Sequence, residues 1–503
     1  MKTPRDSGSR LRKLCGEEPL RKVDRLVRHS FGGTTAILNP YNLRWQYLTG
    51  DYVGLFDFFD EPRDLDEISR HLDEIAGGTR TRRKLIRQIE GWANDGYIVP
   101  AGFDESSLIG WCRRFGSRSA RLPSILYIFP TLSCNLRCRY CFIVGKDGER
   151  PSEGLSLDKL ERAVDLVIYN LRKPIRKGTR TSFTFLFYGG EPLLRRDFFF
   201  EAVRLIESRR REFGSVRPRI GIITNGTMID DEVASFIKSH RIDAGISLDG
   251  DRGTTNRARI YPDGRGAFAD IMRGARTLRR HGVPFGLSVT VGKHNVDLLP
   301  AQIRWLAREF GRVPIGLNAV NLSHCRGRNP LKADSKMTEA RLSKVYDAIF
   351  ECGMREDQVG RRMRSLAENR PYLEDCAAEA FQMVLLPDGK LGPCHAYASS
   401  RKNFFGGMLG RRLDISRHPL WRKLSYRTPL YIKRCYQSCE YFTLCGGGCF
   451  YEAEKVTGSM WSINPLACVV AKVRVHKALE WLYRNQTGKR PRRVARNGRH
   501  GHQ

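Results

Sequence analysis

The chain has 503 residues, 41% of them apolar and 28% charged, so it can bury a sizeable core; its length sets a prior of about three domains. The 48 Gly and 23 Pro are too scattered for a low-complexity protein, and no apolar run of about 18 residues is present to cross a membrane. The start, MKTPRDSGSR, lacks the apolar stretch of a secretory signal, so a cytoplasmic protein without membrane insertion is expected.

The formal net charge of +33 favours anionic partners: nucleic acid, an anionic membrane surface or an acidic peptide. Part of it is local: residues 484–503 hold seven Lys/Arg and no Asp/Glu and read as a solvated basic tail. Fourteen Cys without a secretion signal argue for metal or redox ligands rather than disulfides. They cluster as expected for ligands, with Cys134, Cys138 and Cys141 in one group and Cys435, Cys439, Cys445 and Cys449 in another.

In chain order, residues 1–19 read as a polar arm. Residues 20–102 form a compact module. It has a short strand at Thr35–Leu38 and a helix after Asp64 with Leu65, Ile68 and Leu72 at helical spacing. A second helix follows with Leu85, Ile86, Ile89 and Trp92, then a strand at Tyr97–Val99. Helix, helix, strand predicts a winged-helix-like module. Residues 103–122 read as a linker. From 124 to 354 six strand patterns (ILYIF, SFTFLF, RIGII, DAGISL, PFGLSVT, PIGLNAV) alternate with amphipathic stretches, which predicts an α/β core on a parallel sheet. Spacing alone leaves a doubly wound sheet and a partial barrel open; both place ligands at the carboxyl ends of the strands. Residues 375–470 are rich in Cys and weak in secondary structure, so a metal centre is expected to staple them.

SCNLRCRYCF sets Cys134, Cys138 and Cys141 at C-x3-C-x2-C directly after the first core strand. Three thiolates on one loop can hold three irons of a cubane and leave the fourth iron open. A zinc site would want a fourth ligand, and no further Cys or His lies nearby. YGGEP ends the second strand, TNG the third and SLDG the fourth. Two glycines permit close backbone approach, and an Arg beyond the fourth strand can pair with a carboxylate.

This order of motifs resembles the radical S-adenosylmethionine (SAM) enzymes over residues 124–354. The resemblance implies a partial (β/α)6 TIM-like barrel and a [4Fe–4S] cluster on Cys134, Cys138 and Cys141. SAM would be bound at the open iron and cleaved by one electron to a 5′-deoxyadenosyl radical that takes hydrogen from the substrate. It implies that Gly189, Gly190 and Glu191 hold the SAM amino group. Thr224 and Asn225 would face the ribose, Tyr140, Ser247 and Asp249 would complete the site, and Arg259 would meet the SAM carboxylate, with Arg257 as the rival for that role.

The later cysteines run C-x12-G-x4-C from Cys376 to Cys394, then Cys435-x3-Cys439-x5-Cys445-x3-Cys449, then Cys468. This resembles the SPASM domain of radical SAM enzymes that modify peptides and proteins, although the family usually has C-x2-C where this chain has Cys435-x3-Cys439. A zinc ribbon would leave three of these thiols stranded. The resemblance implies an iron–sulfur-stapled domain with two auxiliary [4Fe–4S] clusters. Cys376, Cys394 and Cys449 would hold the first, and Cys435, Cys439, Cys445 and Cys468 the second. The first then has an open iron for a substrate thiolate, or borrows Cys325 or Cys352. His395, beside Cys394, is a candidate base; the sulfatase-maturing branch has Asp there, which argues against formylglycine formation here.

Residues 20–102 also resemble, in pattern and position, the small leader-peptide-binding element that begins many such enzymes, which takes its peptide by strand addition. The expected protein is therefore a peptide or protein maturase. It would act on a precursor with a leader segment, draw electrons from a donor such as flavodoxin or ferredoxin, and form thioether or carbon–carbon crosslinks. The alternatives are a radical SAM enzyme acting on RNA or a small metabolite, for which the +33 charge leaves nucleic acid open, and an iron–sulfur DNA-binding regulator.

Overall fold

The computed structural model describes residues 18–116, 124–143, 154–172, 182–292, 294–319, 338–379 and 382–487. Most of the amino-terminal arm, Cys325 and nearly all of the basic tail lie outside these residues.

The amino-terminal module is built on antiparallel strands. β1 (Leu20–Lys22) pairs with a later strand, while β2 (Val27–Phe31), β3 (Thr34–Leu38) and β4 (Trp45–Thr49) make a three-stranded sheet. The partner of β1 is β5 (Ile98–Pro100). The helices Leu65–Ile75 and Thr79–Asn94 close over the module, burying Ile68, Leu72, Leu85, Ile86, Ile89 and Trp92 with Phe56 and Phe59. Asp64 starts the first of them with a capping box to Glu67. The winged-helix order expected from the sequence finds its helices and last strand here. β1, β2 and β4 were not anticipated, because VRHSF and WQYLT interleave polar and apolar residues over only five positions. The expected linker is also partly helical, at Ser106–Gly116, with Cys112 buried and Arg113 donating to the Leu430 carbonyl at 2.9 Å.

The core sheet settles the choice the sequence left open. β6 (Ile125–Ile128), β7 (Ser182–Phe187), β8 (Arg217–Thr224), β9 (Asp243–Ser247), β10 (Phe285–Val291), β11 (Pro314–Ala319) and β12 (Arg355–Glu356) lie side by side in chain order, all parallel. A doubly wound sheet reverses its order once; an order without reversal sends every right-handed crossover the same way, which is the geometry of a partial barrel. The burial pattern agrees. In FGLSVTV of β10, alternate residues are fully buried and the rest half-buried. The buried set (Phe285, Leu287, Val289, Val291) joins the hydrophobic core with residues of the surrounding helices, and half-buried Ser288 and Thr290 line an internal cavity.

The Cys-rich segment is joined to this barrel. β13 (Gln382–Leu385) pairs parallel with β6 at the sheet edge and antiparallel with β14 (Leu391–Gly392). Trp421 donates its indole N–H to the Gln382 carbonyl at 2.9 Å. The helix Pro465–Gln486 then packs against the helices Glu339–Glu351 and Asp357–Ala367. No described helix is long and apolar enough to cross a membrane.

That last helix also carries the amino-terminal sheet. His29 stacks on His476 with centroids 4.0 Å apart and bonds Glu480 at 2.8 Å; Tyr47 donates to the Leu479 carbonyl at 2.6 Å. Burial holds the His476 imidazole at about 3, so it stays neutral in the folded protein. In the unfolded chain it gains a proton below about pH 6.5. This contribution to stability is therefore present above that pH and lost as pH falls toward 3. The apparent Tm in anaerobic scanning fluorimetry is expected to drop between pH 7 and pH 5, and His476→Phe, which keeps the stack but cannot protonate, is expected to shrink that drop.

Candidate functional site

The loop after β6 carries Cys134, Cys138 and Cys141 within electrostatic reach of one another, and burial pushes the Cys138 thiol up to about 12. The N–H of Leu136 donates to Cys134 Sγ at 3.4 Å, and Asn225 Nδ2 donates to it at 3.7 Å.

The loop is seated directly on the end of β7. Gly190 N–H donates to the Thr131 carbonyl at 3.1 Å, and Glu191 N–H to the Ser133 carbonyl at 2.8 Å. A Cβ on Gly190 would stand 1.8 Å from the Ser133 oxygen, and Gly189 sits at φ +125° with the Thr131 oxygen 2.7 Å from where its Cβ would be. The double glycine is thus explained first by the cysteine loop pressed against it.

Glu191 and Asp249 lie behind the wall rather than on it. Glu191 is buried and accepts from Thr224 Oγ1 at 2.7 Å, Asn225 N–H at 2.8 Å and Leu193 N–H at 3.1 Å. Burial raises its pKa, and those three donors pull against the rise. It braces the TNG turn. Asp249 is fully buried and accepts from the Tyr140 hydroxyl at 2.5 Å, Arg259 Nε at 3.1 Å, Arg259 Nη2 (to Oδ1) at 3.0 Å and Thr290 N–H at 2.9 Å. Burial works against the charge of Arg259, but Asp249 outweighs it and holds the guanidinium firmly protonated over the Tyr140 ring, 5.4 Å from its centroid.

A cavity of about 620 Å³ opens at these strand ends. Its wall includes Cys134, Cys138, Tyr140, Cys141, Gly189, Gly190, Thr224, Asn225, Ser247 and Arg259. Arg257 is exposed and not on this wall, so Arg259 is the arginine the cavity presents. Ser288, Thr290 and Asn318 line it too; the alternation within β10 and β11 was the signal for them, and it was read only as strand. His294 also went unread. Its ring lies 5.9 Å from that of Tyr140, and both of its nitrogens are buried without a partner.

The Cys-rich segment also contributes to the lining of this cavity. Cys376, Cys394 and Cys449 interact with one another, and all three line the cavity. Cys435, Cys439, Cys445 and Cys468 form the other set, of which Cys445 reaches the cavity. None of the described cysteines is in a disulfide. Among the described residues no three His, Cys, Asp or Glu side chains converge tightly enough to clasp a single metal ion.

Two buried arginines tie these loops together. Arg427 bonds Glu379 at 2.9 Å and the carbonyls of Gly447, Gly448, Met460 and Ser462. Arg362 bonds Asp375 at 3.0 Å and the Cys445 carbonyl at 2.9 Å. Cys352 takes no part; its charged neighbours are Arg304, Glu351 and Arg308. Tyr127, Phe142, Tyr188 and His395 line the same cavity. His395 stacks on Tyr127 at 5.1 Å with Tyr188 edge-on at 5.4 Å, and burial lowers its pKa to about 4.

Comparison with known proteins accords with this geometry. Residues 128–301 match the radical SAM superfamily. The chain therefore carries a radical SAM domain. It is 29% identical over 406 residues to an Fe-coproporphyrin III synthase of Methanosarcina barkeri, spanning 72% of this chain and 94% of that one. It is 24% identical over 339 residues to a cysteine-type anaerobic sulfatase-maturating enzyme of Clostridium novyi, spanning 64% and 86%. A solved structure titled native anSMEcpe with bound AdoMet shares the fold, with a TM-score of 0.58 and 21% identity over 73% of this chain and all of that one.

The residues fit the two groups such a domain uses. Three thiols, with no fourth ligand beside them among the described residues, suit a [4Fe–4S] cluster with one iron left for SAM. Arg259 and Ser247 on the cavity wall suit a ligand bearing a carboxylate and a ribose. Two substitutions test the scaffold. Asp249→Ala removes one partner of a buried pair and is expected to cost about 3–5 kcal/mol in anaerobic denaturant unfolding. Gly190→Ala forces the loop off the sheet, at about 1–3 kcal/mol by overpacking, and is expected to lower the iron bound after reconstitution.

Proposed function

We propose that this radical SAM enzyme is a peptide or protein maturase that takes hydrogen from a ribosomally made substrate and installs an oxidative modification such as a thioether or a carbon–carbon crosslink. The observation that supports this reading is one cavity lined by both cysteine sets, Cys134, Cys138 and Cys141 together with Cys376, Cys394 and Cys449.

In this reading Cys134, Cys138 and Cys141 hold the [4Fe–4S] cluster. Arg259, Tyr140, Ser247, Thr224, Asn225 and the Gly189–Gly190 backbone surround SAM. When bound, these groups supply a carbon-centred oxidant that removes a hydrogen atom from substrate. The chain's own residues position and shield. Asp249 fixes Arg259 and Tyr140, Glu191 fixes the TNG turn, and the buried strand residues keep water from the barrel interior.

The Cys-rich domain is read as a SPASM domain with two auxiliary clusters. Cys376, Cys394 and Cys449 leave one iron of the first for a substrate thiolate, and the four-thiol set of the second serves electron transfer. His395, neutral at physiological pH, stands beside that first set as the base or as a contact to substrate. The amino-terminal module is read as the leader-binding element, with β4 at an edge of its sheet where a peptide strand can add.

The similarity to the Methanosarcina barkeri enzyme, whose name refers to a porphyrin, favours a second reading in which the substrate is a small molecule entering the same cavity. One assay separates them. Anaerobically reconstituted enzyme with dithionite is given a candidate precursor peptide or a porphyrin-type precursor of Fe-coproporphyrin III, and 5′-deoxyadenosine is measured. The maturase reading expects the peptide alone to raise turnover. Stimulation by the porphyrin alone would favour the second reading. Cys134→Ala/Cys138→Ala/Cys141→Ala is expected to abolish SAM cleavage with either substrate and to remove about four irons per chain.

A further inference from the structure

We propose that Arg474 is the anion anchor of the cavity and binds a carboxylate of the substrate, so that the peptide segment entering the cavity carries an Asp or Glu. This rests on the maturase reading and names the chemistry by which the site would recognise its substrate.

Among the described residues three arginines line the cavity. Two of them are matched: Arg259 lies 3.0 Å from Asp249, and Arg361 lies 2.7 Å from Asp357. Arg474 is the exception. It stands on the helix Pro465–Gln486, is only 9% exposed, and has no carboxylate within ion-pair distance among the described residues. Its Nε donates to the Tyr346 hydroxyl at 2.9 Å, and its Nη2 to the Leu317 carbonyl on β11 at 3.4 Å. Nη1 makes no hydrogen bond among the described residues, and the side chain it belongs to is part of the cavity lining.

The carboxylates that act on Arg474 through space are engaged elsewhere. Asp375 accepts from Arg362 at 3.0 Å. Glu356 caps the helix Asp357–Ala367, accepting from the Val359 N–H at 2.8 Å, and burial raises its pKa. The cavity residues next to Leu317 along the sheet are neutral: Asn318 donates its amide to the Ser288 hydroxyl at 3.1 Å.

A buried guanidinium without a contacting anion is costly, whereas a charge-assisted hydrogen bond to a carboxylate is about twice as strong as a neutral one. Both hydrogen bonds of Arg474 go to neutral oxygens, so its positive charge has no use within the protein. It is half of an ion pair whose other half enters with the substrate.

The test uses reconstituted holoenzyme with SAM. The probe is a pool of short synthetic peptides, blocked at both termini, each with one central Cys and varied residues around it. Retained peptides are read by mass spectrometry. For the wild type, Asp and Glu are expected at one position relative to Cys, about tenfold over Asn and Gln. Arg474→Gln is expected to lose that preference and Arg474→Lys to keep part of it. Tyr346→Phe removes a structural partner but leaves the charge, and is expected to keep it. Bound iron and anaerobic Tm report whether each variant folds; if Arg474→Gln holds no iron, the wild type and Arg474→Lys decide.

A wild type without acidic preference, or with one spread evenly over all positions as the overall +33 charge alone would give, would overturn the proposal. So would a preference that survives in folded Arg474→Gln, or one lost equally in Tyr346→Phe. A second arm titrates coproporphyrin III and its tetramethyl ester by fluorescence. Binding of the free acid alone, lost in Arg474→Gln, with no peptide retained, would uphold the carboxylate anchor and overturn the maturase reading. Peptides retained without acidic preference would do the reverse. Binding of neither probe by the wild type would overturn the anchor.

Discussion

The whole site depends on one backbone-on-backbone contact, the seating of residues 131–133 on Gly189 and Gly190. Cys134 begins immediately beyond this seat, so the height of the cysteine loop above the barrel is set by how closely two main chains can approach. No side chain fits between them, since even a methyl group at Gly190 would overlap the Ser133 carbonyl. Hydrogen bonds in both directions then lock the position. On the β7 side, Gly190 and Glu191 donate to the loop; on the far side, the loop donates to residues 258 and 260. A centre that must present one open coordination position to a ligand gains from a support that cannot shift by a rotamer change.

Around that seat the charged groups are arranged in two layers. Asp249 and Glu191 never reach the cavity, yet each fixes groups that do: Arg259 and Tyr140 in one case, Thr224 and Asn225 in the other. Buried carboxylates are costly unless their hydrogen bonds are met, and here each accepts at least three. The same device recurs in the Cys-rich half, where Arg427 and Arg362 turn their donors to backbone carbonyls beside the thiols. The cavity is thus a surface of modest polarity held in shape by strong interactions one layer deeper.

Much of this was legible in the sequence. The C-x3-C-x2-C loop, the strand-end motifs and the six βα units follow from spacing and periodicity. Other features were hidden for identifiable reasons. Glu191 and Asp249 read as ligand contacts because a motif shows which residue stands at a strand end, not which way its side chain turns. β13 escaped notice because QMVL is a four-residue apolar run within a Cys-rich stretch, and only its pairing with β6 makes it a strand. Ser288, Thr290 and Asn318 are ordinary polar residues on alternating strands; nothing but closure of the barrel turns their side of the sheet into a cavity wall.

The attachment of β13 to β6, and of the amino-terminal sheet to the helix Pro465–Gln486, means that the two ends of the polypeptide complete each other. As the chain leaves the ribosome, β6 has an unsatisfied edge until some 250 residues more have been made, on the register of Ile125 with Gln382. Native structure of this long-range kind forms late and slowly. Closure of the chamber must therefore wait until β13 and the helix Pro465–Gln486 have been made.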